Sequence, residues 1–160
     1  MLLPPQLDAA PQSGPTQGSA RQPTVNILDG MLAAGVKHHR KGRLPDAELI
    51  YRRILAIDSR HPPTLYMLGT LAQEVGRLEV ATQLISAAIV KDPDEPAYHC
   101  RFGTILQAQG KSGQAAASYR RALQIDPEFA EAQANLEALQ QLQGSAVEGK
   151  PFKPANRMTS

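Results

Sequence analysis

PPTLYMLGTLAQEVGRLEVATQLISAAIVKDPDE, residues 62–95, decides the fold. Apolar side chains recur at helical spacing on both sides of Gly76, first Leu65, Leu68, Leu71 and Ala72, then Ala81, Leu84, Ile85, Ala88 and Ile89. Pro93 closes the second run by biasing its predecessor away from helical dihedrals. The stretch therefore reads as helix, glycine turn, helix. A forward shift of 34 residues carries Gly69, Gly76, Ala81, Asp92 and Pro93 onto Gly103, Gly110, Ala115, Asp126 and Pro127. A backward shift of 34 carries four of the five onto Gly35, Gly42, Ala47 and Asp58, with Ser59 where the proline would stand. A period held without slippage over three copies marks a stacked array, in which each unit buries its apolar face against the next.

Working outward, the first copy occupies about 28–61, the second 62–95 and the third 96–129. The opening helix of the first copy should start near Thr24 or Leu28 and run to about Lys41, with Pro45 suited to the first turn of the helix that follows. The third copy places Tyr98, Phe102, Ile105 and Leu106 inward, and Ser112 is a plausible N-cap for its second helix. Residues 130–143, AEAQANLEALQQLQ, repeat only the first half of a unit, and no second-helix pattern follows Gly144. A lone helix with Leu136 and Leu139 inward suits the open end of a stack. On either side of this 24–143 domain, residues 1–23 carry five prolines among Gln, Ser, Gly and Ala and read as a disordered leader, and 144–160 read as a flexible tail.

Gly35, Gly69 and Gly103 sit in mid-helix, where glycine is about 1 kcal/mol less favourable than alanine. Three such placements at one period imply that the partner helix of the hairpin passes too close for a Cβ. Ala47, Ala81 and Ala115 would serve the same approach from the other helix, and Tyr51, Ile85 and Tyr119 would fill the space between units. Gly42, Gly76 and Gly110 read as turn residues.

These offsets resemble the tetratricopeptide repeat, most fully in Phe102, Gly103, Leu106, Gly110, Ala115, Tyr119, Ala122 and Pro127. The resemblance covers roughly 28–143. It implies an all-α fold, an α-solenoid of three helix-turn-helix repeats plus a C-terminal capping helix. It also implies that the first helix of each repeat lines a concave surface that holds a peptide or a partner protein. Carried onto this sequence, that groove comprises Val36, His39, Tyr66, Met67, Thr70, Gln73, Arg101, Thr104, Gln107 and Asn135. Arg101 could hold a carboxylate through its paired donors. A narrower resemblance, carried by AELIYRRILAIDSRHPPTLYMLGTLAQEVGRLEVATQLISAAI, is to the repeats preceding the catalytic region of bacterial O-linked N-acetylglucosamine transferase-like proteins. In such arrays an asparagine ladder holds the peptide backbone, and its places here read Ala33, Met67, Arg101 and Asn135.

The composition points the same way. The chain has 160 residues, no Trp and 4% aromatics, so Ala and Leu must fill the interior. A formal net charge of +2 is too small to imply a polyanion partner. The basic run KHHRKGR, residues 37–43, lacks the extended stripe or aromatic platform of a nucleic-acid site. The single cysteine, Cys100, excludes an internal disulfide framework, and His38, His39, His61 and His99 have no clustered ligands beside them for a metal. No nucleophile, base and carboxylate set and no phosphate-cradling loop is legible, so neither catalysis nor a cofactor is expected. With no signal-like start and no run of about 20 apolar residues, the expectation is a cytoplasmic interaction module off the membrane, its oligomeric state open. The alternative is the non-catalytic repeat subunit, or truncated N-terminal region, of a glycosyltransferase-like or other transferase enzyme.

Overall fold

The structure, a computed structural model, describes residues 22–148, with side chains described over 27–144. Among these residues seven helices follow one another: α1 (Gln22–Arg40), α2 (Leu44–Ile57), α3 (Pro62–Glu74), α4 (Leu78–Lys91), α5 (Pro96–Ala108), α6 (Ser112–Ile125) and α7 (Ala130–Glu148). They pack as three hairpins, α1 with α2, α3 with α4 and α5 with α6, and α7 closes on α5 and α6. The array is thus an all-α solenoid of three helix-turn-helix units and a final helix. α1 begins at Gln22, inside the stretch read as leader, and α7 runs to Glu148, past the expected end at 143. The rest of the leader and tail, 1–21 and 149–160, lies outside the described residues.

Each hairpin turns in the same way. Gly42, Gly76 and Gly110 have φ of 71°, 77° and 76°, the left-handed region that glycine enters without a Cβ penalty. In the second turn the Gly76 N–H donates to the Gln73 carbonyl at 3.0 Å and the Arg77 N–H to that of Ala72 at 2.8 Å, the paired bonds of a Schellman C-cap. Gly110 and Lys111 repeat the pattern onto Gln107 and Leu106, both at 2.9 Å. The next helix starts immediately, so Arg43, Arg77 and Lys111 become N-caps that make no side-chain capping bond. The expected cap at Ser112 is therefore corrected: Lys111 holds that place and Ser112 is the first helical residue. Glu95 does cap by side chain, accepting from the Ala97 N–H at 3.2 Å.

Helices of 13 or 14 residues are marginal in isolation, and packing between units supplies what they lack. The buried side chains form a run of clusters rather than one ball. Ala47 and Tyr51 of the first hairpin enclose Leu71 of the second, and Ala72, Ala81 and Ile85 of the second enclose Ile105 of the third. Cys100, Leu106, Ala115 and Tyr119 then receive Ala132 and Leu139 of α7. Each unit completes the core of its neighbour, which is why a half-unit serves as terminus.

The mid-helix glycines sit at the closest crossings. A Cβ on Gly35 would stand 2.5 Å from Tyr51 Cε1, one on Gly69 2.7 Å from Ile85 Cδ1, and one on Gly103 2.5 Å from Tyr119 Cε1. The close approach is as expected, but its partner is not the small Ala47, Ala81 or Ala115. The large side chain one turn further along α2, α4 and α6 takes the space, so Tyr51, Ile85 and Tyr119 fill the inside of their own hairpins as well as the joint between units.

Candidate functional site

The first helices, α1, α3, α5 and α7, lie side by side along one edge of the stack, and most of the residues assigned to the groove meet there across helix boundaries. His39 Nε2–H of α1 donates to Glu74 Oε2 of α3 at 2.9 Å. Gln73 Nε2–H of α3 donates to Thr104 Oγ1 of α5 at 3.2 Å. The Arg101 guanidinium of α5 lies 5.9 Å from the ring centroid of Tyr66 of α3, within cation–π range. Asn135 Nδ2–H of α7 donates to Cys100 Sγ of α5 at 3.7 Å.

The second helices contribute through the glycine crossings. Tyr119 O–H passes Gly103 and donates to Gln107 Oε1 at 2.9 Å, and Tyr51 O–H, 68 residues earlier, reaches His39 Nδ1 at 3.4 Å. Those two tyrosines accordingly hold the groove residues of the first and third repeats from behind. In the second repeat the same place is Ile85, which has no hydroxyl, and Gln73 turns sideways to Thr104 instead. Sequence reasoning missed Tyr51, Tyr119 and Glu74 as parts of this face. The signal for the tyrosines was present, since both stand 12 residues after a polar groove residue.

Not all the assigned residues are displayed. Thr70 is only 8% exposed and its hydroxyl donates to the Tyr66 carbonyl at 2.9 Å. Met67 has one side against the cluster of Ala47, Tyr51 and Leu71 but stays half-buried. The His39 side chain is 8% exposed, held between Tyr51 and Glu74. Val36 lies apart, in a trough along α1 with Leu32 and Lys37. What remains accessible along the middle of the face is Tyr66, Met67, Gln73, Arg101, Thr104, Gln107 and Asn135, each half-buried.

Arg101 is the electrostatic centre. Burial opposes its charge, but the Tyr66 side chain and the Glu131 carboxylate outweigh that and raise its pKa further. Its Nε is buried and finds no partner among the described residues. Cys100 beside it is no nucleophile at neutral pH: burial and Glu131 push the thiol up to about 11. His99, next along the helix, spends Nε2 on the Pro93 carbonyl at 2.8 Å. No group of three or more His, Cys, Asp or Glu among the described residues is placed to hold a metal ion, and no described helix is long and apolar enough to cross a membrane.

Residues 103–144 match the family described as TPR repeat, the tetratricopeptide repeat. No curated protein matches the chain in sequence. Among solved structures, a mutant O-GlcNAc transferase of Thermobaculum terrenum is 26% identical, with a TM-score of 0.71 over 73% of this chain and 22% of that one. The chain thus spans about a fifth of the transferase's length. The Yersinia enterocolitica type III secretion chaperone SycD, solved in complex with a peptide of the translocator YopD, is 21% identical, with a TM-score of 0.66 over 74% of this chain and 95% of that one. The first TPR of Spaghetti (RPAP3), bound to the HSP90 peptide SRMEEVD, is 19% identical, with a TM-score of 0.69 over 74% and 94% of the two chains.

Proposed function

We propose that the chain, whose residues 103–144 match the tetratricopeptide repeat family, is an array of such repeats acting as a protein-interaction module that holds a peptide, or a segment of a partner protein, along the face of α1, α3, α5 and α7. The observation that carries this reading is Arg101. It is a charged, half-buried guanidinium supported by the Tyr66 ring at the middle of the face. Such a group is costly to bury and is suited to a ligand carboxylate, which its donor fork can grip in two places. Gln73, Thr104, Gln107 and Asn135 flank it with neutral donors and acceptors, already aligned by their bonds to neighbouring helices, so little order need be lost on binding. SycD and Spaghetti, which share the fold, were solved with peptides bound.

The test is a library of random heptapeptides with free C-terminal carboxylates, read by fluorescence anisotropy. Peptides selected on the natural chain should lose about tenfold or more in affinity for Arg101→Glu, at unchanged helicity by circular dichroism. Equal affinity for the two proteins would remove the site from this face.

A second reading rests on the 26% identity to the Thermobaculum transferase. In it the array is the repeat portion of a bacterial O-linked N-acetylglucosamine transferase-like enzyme and presents the acceptor polypeptide to a catalytic region. Of the four ladder positions only Asn135 carries an asparagine, and its amide is engaged by Cys100. The first reading is therefore preferred. Co-expression with a catalytic chain from a neighbouring gene, followed by gel filtration, separates the two: a stable stoichiometric complex favours the transferase reading.

A further inference from the structure

The 34-residue period identifies a second surface, at the N-terminal end of the stack. In the second and third repeats one stripe of the first helix rests on the preceding repeat: Leu71 against Ala47 and Tyr51, Glu74 on His39, Thr104 on Gln73, Ile105 against Ala72 and Ile85, and Gln109 on Thr82. The same stripe on α1 is Val36, Lys37, Arg40 and Lys41, extended by Ala33 and by Leu32, which also packs against the Ala47, Tyr51 and Leu71 cluster within the stack. No preceding repeat stands before it among the described residues, and it lines an open trough of about 740 Å³, with Asp29 at its far end. The middle is apolar and one end carries three cations. That combination is not a stacking surface for another copy of the same repeat, because Lys37 occupies the place where Leu71 and Ile105 are buried, and Arg40 reverses the sign of Glu74.

We propose that this end face of α1 docks an acidic amphipathic helix from a partner protein. The geometry follows from the interior joints, where the stripe meets helices and nothing else. The chemistry follows from the reversed sign. Glu74 meets the imidazole of His39 in the joint behind it, so the occupant facing Arg40, Lys37 and Lys41 must bring carboxylates there and apolar side chains opposite Leu32, Ala33 and Val36. Nucleic acid fits poorly, since the stripe has no aromatic ring on which a base could stack. The opposite end of the chain fits poorly too. α7 has no second helix among the described residues to complete a seat, and Glu137 and Gln140 stand where Gly103 and Leu106 stand in the repeat before it.

The experiment titrates the full chain into a labelled helix-forming peptide of roughly 18 residues, with Leu at i, i+3, i+4 and i+7 and Glu at the exposed positions, beside a twin with Lys for Glu. The Glu peptide should bind about tenfold or more tightly than its twin at about 50 mM salt, and that advantage should shrink at about 300 mM. The triple variant Lys37→Glu, Arg40→Glu, Lys41→Glu, whose changes all fall on exposed side chains, should invert the preference, and Arg101→Glu should leave it intact. Failure of the Glu peptide to bind overturns the proposal, as does an effect of Arg101→Glu without one from the triple variant, which would put the peptide on the groove. Two further results would also overturn it. A mass that rises with concentration in sedimentation, and is abolished by the triple variant, would give the surface to a second copy. A gain in peptide affinity on changing Leu2, Leu3 and Leu7 to Ser would give it to the chain's own N-terminal segment.

Discussion

Gly30, Gly69 and Gly103 are all mid-helix glycines, yet they answer to different physics. Nothing lies within 4 Å of a Cβ built on Gly30, so Gly30→Ala should only recover helix propensity and stabilise by about 0.5–1 kcal/mol. At Gly103 the new methyl would press 2.5 Å from a ring carbon of Tyr119, which is buried and anchored by its bond to Gln107. Gly103→Ala should therefore destabilise by about 1–3 kcal/mol. Gly69 meets the fully buried Ile85 at Cδ1, 2.7 Å, and Cγ1, 2.9 Å, an aliphatic chain with no hydrogen bond anchoring it, so Gly69→Ala should destabilise, but by less than Gly103→Ala. Urea denaturation of the three variants gives the order directly, and a destabilising Gly30→Ala or a neutral Gly103→Ala would contradict the packing account. The period alone shows that something passes close to these glycines. It does not show which atom, because that depends on where side chains one turn apart on the facing helix point.

At the scale of the helix, the turns were legible because each combines a glycine with an immediate restart, a local pattern that needs no tertiary information. The groove was legible only in part. Tyr66 and Arg101 lie on the expected face, but their stacking joins residues 35 apart on neighbouring helices. Thr70 and the His39 side chain share that face by spacing and are nevertheless withdrawn from it, since each lies against an adjacent helix or carbonyl. α7 illustrates the energetics of the element. Its sequence is rich in Gln and Glu, and its anchorage comes from Ala132, fully buried, and Leu139, 3% exposed. Leu139→Ala should cost about 2 kcal/mol or more, because the cavity opens onto Cys100, Leu106 and Tyr119. A calorimetric melting temperature equal to that of the natural chain would show that α7 does not cap the stack.

For the molecule as a whole, three phenols are distributed along the array, Tyr51 in the first hairpin and Tyr98 and Tyr119 in the third. Burial, aided by Glu74 for Tyr51, by Asp92 and Glu95 for Tyr98 and by Cys100 and Glu131 for Tyr119, pushes each up to about 12 from an ordinary value of 10.0. The folded chain therefore keeps these protons to about 12, while the unfolded chain releases them near 10. Above that point the unfolded state binds fewer protons, so stability is complete below pH 10 and falls between pH 10 and about 12. Urea midpoints taken across that window should drop steadily, and Tyr98→Phe should make the drop shallower. A flat profile would mean that the rings are hydrated in the folded state.

By itself the sequence determined the number of units, their period, the turn glycines and the helical class, because these are set by local spacing and backbone sterics, which repeat every 34 residues. Only the tertiary structure decided that tyrosines pass the glycines to hold His39 and Gln107, that Arg101 rests on Tyr66, and that the stripe of Lys37, Arg40 and Lys41 has no repeat before it among the described residues. Those facts depend on which side chains of successive units come within reach, and reach is settled by the stacking of whole helices rather than by spacing along any one of them.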